Sequence, residues 1–282
     1  MKQSITSLAV LAIVGANLAS AQINYNGGIY AENFDGLLNS GSLALTGVGA
    51  IGAQASIPSL AGWQVARVAG TATTAFTIVA DTGTATTGRV YSYGSASATD
   101  RALGSLASGT TAAGVGASFL NSSADTFRSI TLSFDREIWT VQGTTTTSTW
   151  KDTLSFAYGF SSGSIGGSSF LTNSSMTAFS ALDAFSPASN EIISVVDAVN
   201  PVRARDGNSA TYQQNVTATI PDLNWAPGET LFIRWNDTDT GGFDAGIGID
   251  NLTLVAVIPE PSCGALLGLG IAALSFLRRK NT

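Results

Sequence analysis

An all-β sandwich is the fold class this sequence predicts. Short stretches alternate apolar and polar residues with period two, and segments rich in Gly, Ser and Asn separate them. Between the two ends of the chain no long segment repeats apolar residues every 3.6 positions. Composition agrees. Of 282 residues 44% are hydrophobic and only 11% charged, against about 25% charged in an ordinary soluble domain. Gly (31 residues) and long Ser, Thr and Ala stretches take the place of charge, as in an exported β-protein rather than a helical enzyme.

The elements follow in chain order. Lys2 precedes an apolar run from Ile5 to Leu18 and then Ala19-Ser20-Ala21, the order of charge, hydrophobic core and small residues that signal peptidase requires. Residues 1–21 therefore read as a cleavable signal helix, with cleavage after Ala21 and a mature chain beginning at Gln22. Residues 22–257 contain no Pro-rich or charged linker and read as one domain. Within it Ile130, Leu132 and Phe134 share one face of a strand, and Ser129, Thr131, Ser133, Asp135 and Glu137 the other. Leu154 to Phe160, Tyr212 to Ile220 and Leu231 to Trp235 alternate in the same way. In Ile247 to Val255 the apolar parity switches at Asp250-Asn251, which predicts either a β-bulge or a central strand covered on both faces. A jelly-roll β-sandwich, which holds its first and last strands side by side, is the simplest arrangement. The tail, residues 258–282, runs from Ile258-Pro259-Glu260-Pro261 through an apolar helix, Cys263 to Leu277, to Arg278-Arg279-Lys280. Its length falls short of the roughly 20 residues that span a bilayer comfortably, yet the terminal cations suit a short transmembrane helix with a cytoplasmic stop.

Charge and residue content exclude several classes. The body carries 9 basic and 18 acidic residues, so no clustered Lys and Arg surface is available to displace phosphate counterions, and nucleic acid is not an expected partner. The chain has no His, which removes Ser-His-Asp, Cys-His and H-E-x-x-H chemistry. Its single cysteine, Cys263, cannot close an intramolecular disulfide.

Pro259-Glu260-Pro261, the apolar helix and the basic stop closely resemble the PEP-CTERM sorting signal of Gram-negative bacteria. The resemblance covers the last 25 residues. It implies recognition by exosortase, an inner-membrane-anchored intermediate, and a destination at the cell surface or in the exopolysaccharide matrix of a biofilm. The body is similar to the jelly-roll modules of secreted bacterial surface proteins. Glu32-Asn33-Phe34-Asp35, Gly62-Trp63, Tyr91-Ser92-Tyr93-Gly94, the run Asp100-Arg101-Ala102-Leu103-Gly104-Ser105-Leu106, Arg234-Trp235-Asn236-Asp237 and Gly248-Ile249-Asp250-Asn251 carry that likeness. It implies a structural calcium shared by Glu32, Asp35 and Asp250, which would tie first strand to last through hard oxygen ligands.

Three further candidates come from the residues themselves. Asp237, Asp239 and Asp244 open like an EF-hand loop, but Gly248 stands where its bidentate Glu belongs, so a solvated hairpin loop is expected there. Asp135 and Glu137 beside Trp139 have the residue types of a glycosidase pair, against which stands the simpler reading that Arg136 and cross-strand neighbours pair these charges. Of Trp63, Trp139, Trp150, Trp225 and Trp235 most are expected in the core rather than stacked on sugars. The Asn-x-Ser/Thr triplets at Asn121, Asn173, Asn215, Asn236 and Asn251 follow from Ser and Thr abundance. The sequence thus predicts an exported, non-catalytic surface or matrix protein in contact with carbohydrate. A carboxylate-dependent polysaccharide hydrolase and a purely structural self-associating protein are the rivals.

Overall fold

Strands form where the period-two pattern buries one face. The computed structural model describes residues 22–45, 50–142, 152–161, 169–186, 202–239 and 244–258. In chain order the strands are β1 (Ile23–Tyr25), β2 (Ile29–Glu32), β3 (Ser42–Ala44), β4 (Gln54–Ser56), β5 (Trp63–Ala69), β6 (Thr77–Asp81), β7 (Arg89–Tyr93), β8 (Ala102–Leu106) and β9 (Ala112–Asn121). They continue with β10 (Ser129–Gln142), β11 (Asp152–Phe160), β12 (Thr177–Ala178), β13 (Ala184–Ser186), β14 (Val202–Ala204), β15 (Gln213–Ile220), β16 (Thr230–Asp237) and β17 (Ala245–Val257). Two sheets result. One runs β12-β11-β16-β9-β5-β4, with β1 beside β9 and β13 beside β11; the other runs β14-β10-β17-β8-β7-β6-β3, with β15 beside β10 and β2 beside β17. The all-β sandwich expected from the sequence is the observed architecture. Among the described residues no helix is long and apolar enough to cross a membrane. The expected signal helix and tail lie outside them.

The core fills the space between the sheets. Leu231, Ile233 and Trp235 of β16 point into it, as their alternation predicts, opposite Ile130, Leu132 and Phe134 of β10. The Trp235 ring meets Phe134 at 5.2 Å and Phe156 at 5.0 Å edge to face, and stacks 6.5 Å from Trp63. Its indole N–H donates to the Leu182 carbonyl at 3.0 Å, so the polar atom that burial would strand is satisfied. Trp63, Trp139 and Trp225 are also buried; Trp150 lies outside the described residues.

The parity switch in the last strand has a local cause. Ser133 pairs with Thr253 and Asp135 with Asp250, so β17 carries one residue more than β10 across this stretch. The surplus is taken up by Asn251, which adopts φ +48°, a left-handed conformation that Asn tolerates better than most residues. Its side chain donates to Asp135 at 3.1 Å. Both sequence alternatives apply, because β17 is also buried on both faces from Ala245 to Asp250.

That double burial comes from a second layer of packing. Val90 and Leu103 face the main core, whereas Tyr91, Tyr93, Ala102, Leu106 and Trp139 form a separate cluster that alternation places on the opposite face. Segments 81–88 and 205–212 cover it. The Arg205 N–H donates to the Trp139 carbonyl at 2.7 Å, and Thr140 Oγ1 donates to the Gly83 carbonyl at 2.9 Å.

The short motifs of the sequence serve as fasteners. Phe34, at φ +55°, is held there by a bond from its N–H to Glu32 Oε1 at 3.0 Å, which sends its ring against Trp63 with centroids 4.8 Å apart. Arg101 is buried and donates to the Ser92 hydroxyl, the Ser92 carbonyl and the Ser95 carbonyl. The Tyr91-to-Gly94 and Asp100-to-Leu106 motifs are thereby two halves of one buried joint.

Candidate functional site

A cavity of about 360 Å³ opens where β5 of one sheet parts from β6 and β7 of the other. It is lined by Arg67, Ala72, Thr74, Ala75, Phe76, Thr77, Thr87, Gly88, Arg89, Thr110 and Thr111. Its size is at the lower end of the range that holds small ligands. The turn joining β8 to β9 closes one side: Ser108 and Thr111 exchange backbone hydrogen bonds, both at 2.9 Å, and the Ala72 N–H donates to the Thr110 carbonyl at 3.0 Å. This approach requires glycine. A Cβ on Gly70, at φ +107°, would sit 2.3 Å from the Thr110 carbonyl oxygen, and one on Gly88 would meet Ser108 Oγ at 2.2 Å.

Arg67 is the charged member of β5, and only 3% of it is exposed. Its guanidinium stacks over the Phe76 ring at 4.7 Å and donates to the Thr74 carbonyl at 3.2 Å. Burial lowers its pKa, yet an arginine keeps its charge in proteins. Arg89 supplies a second cation to the lining, and Thr74, Thr77, Thr87, Thr110 and Thr111 supply hydroxyls. None of the described residues that line the cavity is acidic. The arrangement therefore offers donors, positive charge and a ring.

The acidic residues cluster elsewhere, in two buried groups. The first lies on the covered face around Trp139. Glu137 accepts from the Trp139 indole N–H at 2.8 Å and from Gln213 at 3.1 Å. Burial pushes its carboxyl up to about 7, against the opposing pull of those two donors. Asp250, one strand away, is pushed up to about 8 by burial first and by Glu137 next, with Asp100 and Asp35 adding to the repulsion. Asp135 stays half-buried and accepts from Asn215 at 3.0 Å and from Asn251. The cross-strand neighbours Asn215 and Gln213 bond to the two carboxylates, and Arg136 donates to Gln214 at 2.8 Å. Glu137 is buried rather than solvent-facing because the 205–212 segment lies over this sheet.

The second group sits between the sheets at the end of the core. Asp237 follows Trp235 on the inward face of β16, and Ser105 of the opposite sheet donates to its Oδ2 at 2.8 Å. Asp152 of β11 accepts the Ala245 N–H of β17 at 2.7 Å. Burial and the nearby Asp152 hold the Asp237 carboxyl well above the usual carboxylate range. The expected solvated loop is thus corrected for Asp237 and Asp244, which are buried; Asp239 is exposed. Asp152 and Asp237 join the two sheets at this end of the sandwich.

The proposed calcium ligands fall on three separate tasks. Glu32 holds Phe34, Asp35 accepts the Arg101 N–H at 3.3 Å, and Asp250 accepts the Asn251 N–H at 2.7 Å. Asp35 adds to the repulsion that raises the Asp250 carboxyl. Among the described residues no three His, Cys, Asp or Glu side chains gather as a metal site requires. The signal residues Ala19 and Ala21, the sorting residues Pro259, Glu260 and Pro261, and the stop residues Arg278, Arg279 and Lys280 lie outside the described residues. Sequence reasoning missed the cavity. Its one legible signal is Arg67, an isolated cation inside the mostly apolar stretch Trp63 to Ala69, followed by the Thr-rich stretch 71–77.

No protein-family model matches the chain, and no curated protein does. The fold is similar to the solved structure of TmCBM61, which was determined in complex with beta-1,4-galactotriose. That match covers 56% of this chain and 72% of the other, at 8% identity and a TM-score of 0.25, a likeness too remote to bear on function.

Proposed function

We propose that this chain is an exported, non-catalytic surface or matrix protein whose β-sandwich, jelly-roll-like in plan, binds carbohydrate. The observation that carries the binding reading is the open cavity, whose lining residues include five threonines, Phe76 and two arginines and no carboxylate. Such a lining can hold a polyol through hydrogen bonds, and it lacks the acid and base that glycoside hydrolysis takes from carboxyl pairs. The buried acids support the same view. Glu137 and Asp237 are each hydrogen-bonded inside the structure, and neither lines the cavity.

Export and sorting rest on the two ends of the sequence: a signal peptide removed after Ala21, then recognition of Pro259-Glu260-Pro261 by exosortase at the inner membrane. The test is retention of the full chain on the exopolysaccharide of the producing cells, with reducing ends followed in the same samples. Retention without new reducing ends is expected. Release of reducing ends would establish the hydrolase instead, and failure to bind any polysaccharide would refute the carbohydrate reading.

A further inference from the structure

The cavity's chemistry narrows the class of saccharide, an inference that rests on the carbohydrate reading above. A site for a neutral sugar is commonly built from side chains that both donate and accept, with carboxylates and amides to receive the sugar's hydroxyl protons. This cavity has another balance. Its two charged side chains are both arginines, and the described lining holds no Asp, Glu, Asn or Gln. Arg67 is almost wholly buried, and its guanidinium is fixed in orientation by the Phe76 ring on one side and the Thr74 carbonyl on the other. A guanidinium held in place in this way keeps its positive charge at the cavity wall and loses little freedom when an anion approaches.

The surroundings sharpen the contrast. The body as a whole is acidic, with 18 acidic against 9 basic residues, and two of those nine face this one opening. A neutral chain would have no use for that local reversal of sign, whereas a carboxylate would be drawn to it and repelled from the rest of the surface. We propose that the cavity selects an acidic saccharide, one bearing a uronate carboxylate, which sits against Arg67 and Arg89 while the threonine hydroxyls take up the ring hydroxyls.

The test compares a neutral β-linked galacto-oligosaccharide, an oligogalacturonate of the same length and inorganic phosphate as ligands of the full chain, by calorimetry at low and high salt. The uronate is expected to bind at least tenfold more tightly than the neutral sugar at low salt, as one charge-assisted hydrogen bond alone provides. That preference should shrink with added salt. Arg89→Gln, at a partly exposed position of the lining, should remove most of the preference by weakening uronate binding more than neutral binding. Arg67→Lys keeps the charge and loses the planar guanidinium, and should lower uronate affinity in protein whose cooperative melting shows that it is folded. Equal affinity for the neutral and acidic oligosaccharides would overturn the acidic preference and leave carbohydrate binding standing. Uronate binding untouched by both variants would overturn the assignment to this cavity. Binding of phosphate alone would make this an oxyanion site and overturn the saccharide class, and binding of none of the three ligands would overturn both readings together.

Discussion

Replacing Asp250 with Asn should stabilise the protein, and increasingly so as the pH rises. The ordinary aspartate value of 3.8 is raised to about 8 in the folded chain, so between these limits the folded state holds a proton that the unfolded state has released. Stability must then fall as the pH climbs from about 4 to 8 and level off above. A shift of about four units at 1.36 kcal/mol per unit caps the cost of ionising Asp250 at about 5–6 kcal/mol. Glu137, itself raised to about 7, is the second cause of that shift and titrates in the same window. The two proton losses are therefore coupled, and the share recovered by removing one charge is about 3–5 kcal/mol at pH 9. Asn keeps the oxygen that accepts the Asn251 N–H. Urea unfolding of the full chain, followed by tryptophan fluorescence at pH 5, 7 and 9, measures the difference directly. The gain should shrink to about 1–2 kcal/mol at pH 5, where little of the folded protein is ionised at this site. Wild-type stability that is flat or rising from pH 5 to 9, or a variant no more stable than wild type at pH 9, would refute the reasoning.

Three other outcomes follow from the packing. Asp237→Asn should raise stability at pH 8 by about 1–3 kcal/mol, because the amide still accepts from Ser105 and no longer faces Asp152 as a buried like charge; the gain should fade as the solution is acidified, which melting curves at pH 5 and 8 will show. Gly70→Ala must escape both a left-handed φ and a 2.3 Å approach to Thr110, so it should cost about 2 kcal/mol or more and weaken cavity binding as the β8–β9 turn is pushed away. Trp235→Ala removes a ring that touches Trp63, Phe134 and Phe156, and should lower stability by about 3–5 kcal/mol in chemical denaturation.

The strands were legible because alternation is a local signal. Leu231, Ile233 and Trp235 face inward as their spacing predicts, and the change of parity at Asp250-Asn251 coincides with the bulge in β17. Glu137 was misplaced because its burial depends on residues 205–212, some 70 positions away, a long-range cover that no period reveals. Asp237 continues the inward parity of Trp235, which indicated its burial, but its Gly- and Asp-rich sequel reads as a loop and overrode that signal. The Glu32-to-Asp35 motif was recognised for its charges, whereas its structural output is the position of Phe34, an effect that depends on one hydrogen bond and one unusual φ. The cavity stayed hidden because its walls come from β5, the approach to β6, β7 and the β8–β9 turn, segments that only the folded sheets bring together.

The last strand of the sandwich has a consequence for when the fold can form. β17 lies between β10 and β8 in the middle of its sheet and also receives β2, and the hydroxyl of Tyr25 in β1 accepts the Ala256 N–H at 2.7 Å. A chain that emerges N-terminus first, from a ribosome or through a narrow channel, can assemble the sheet that contains β16 and β9, but the other sheet stays split between β10 and β8 until β17 arrives. Completion is therefore a single late event rather than a gradual accretion, and the pairs with the greatest sequence separation form at its end. Until then β8 and β10 each show an unpaired edge, so a truncation that removes β17 should leave an open half-sheet prone to join its own kind.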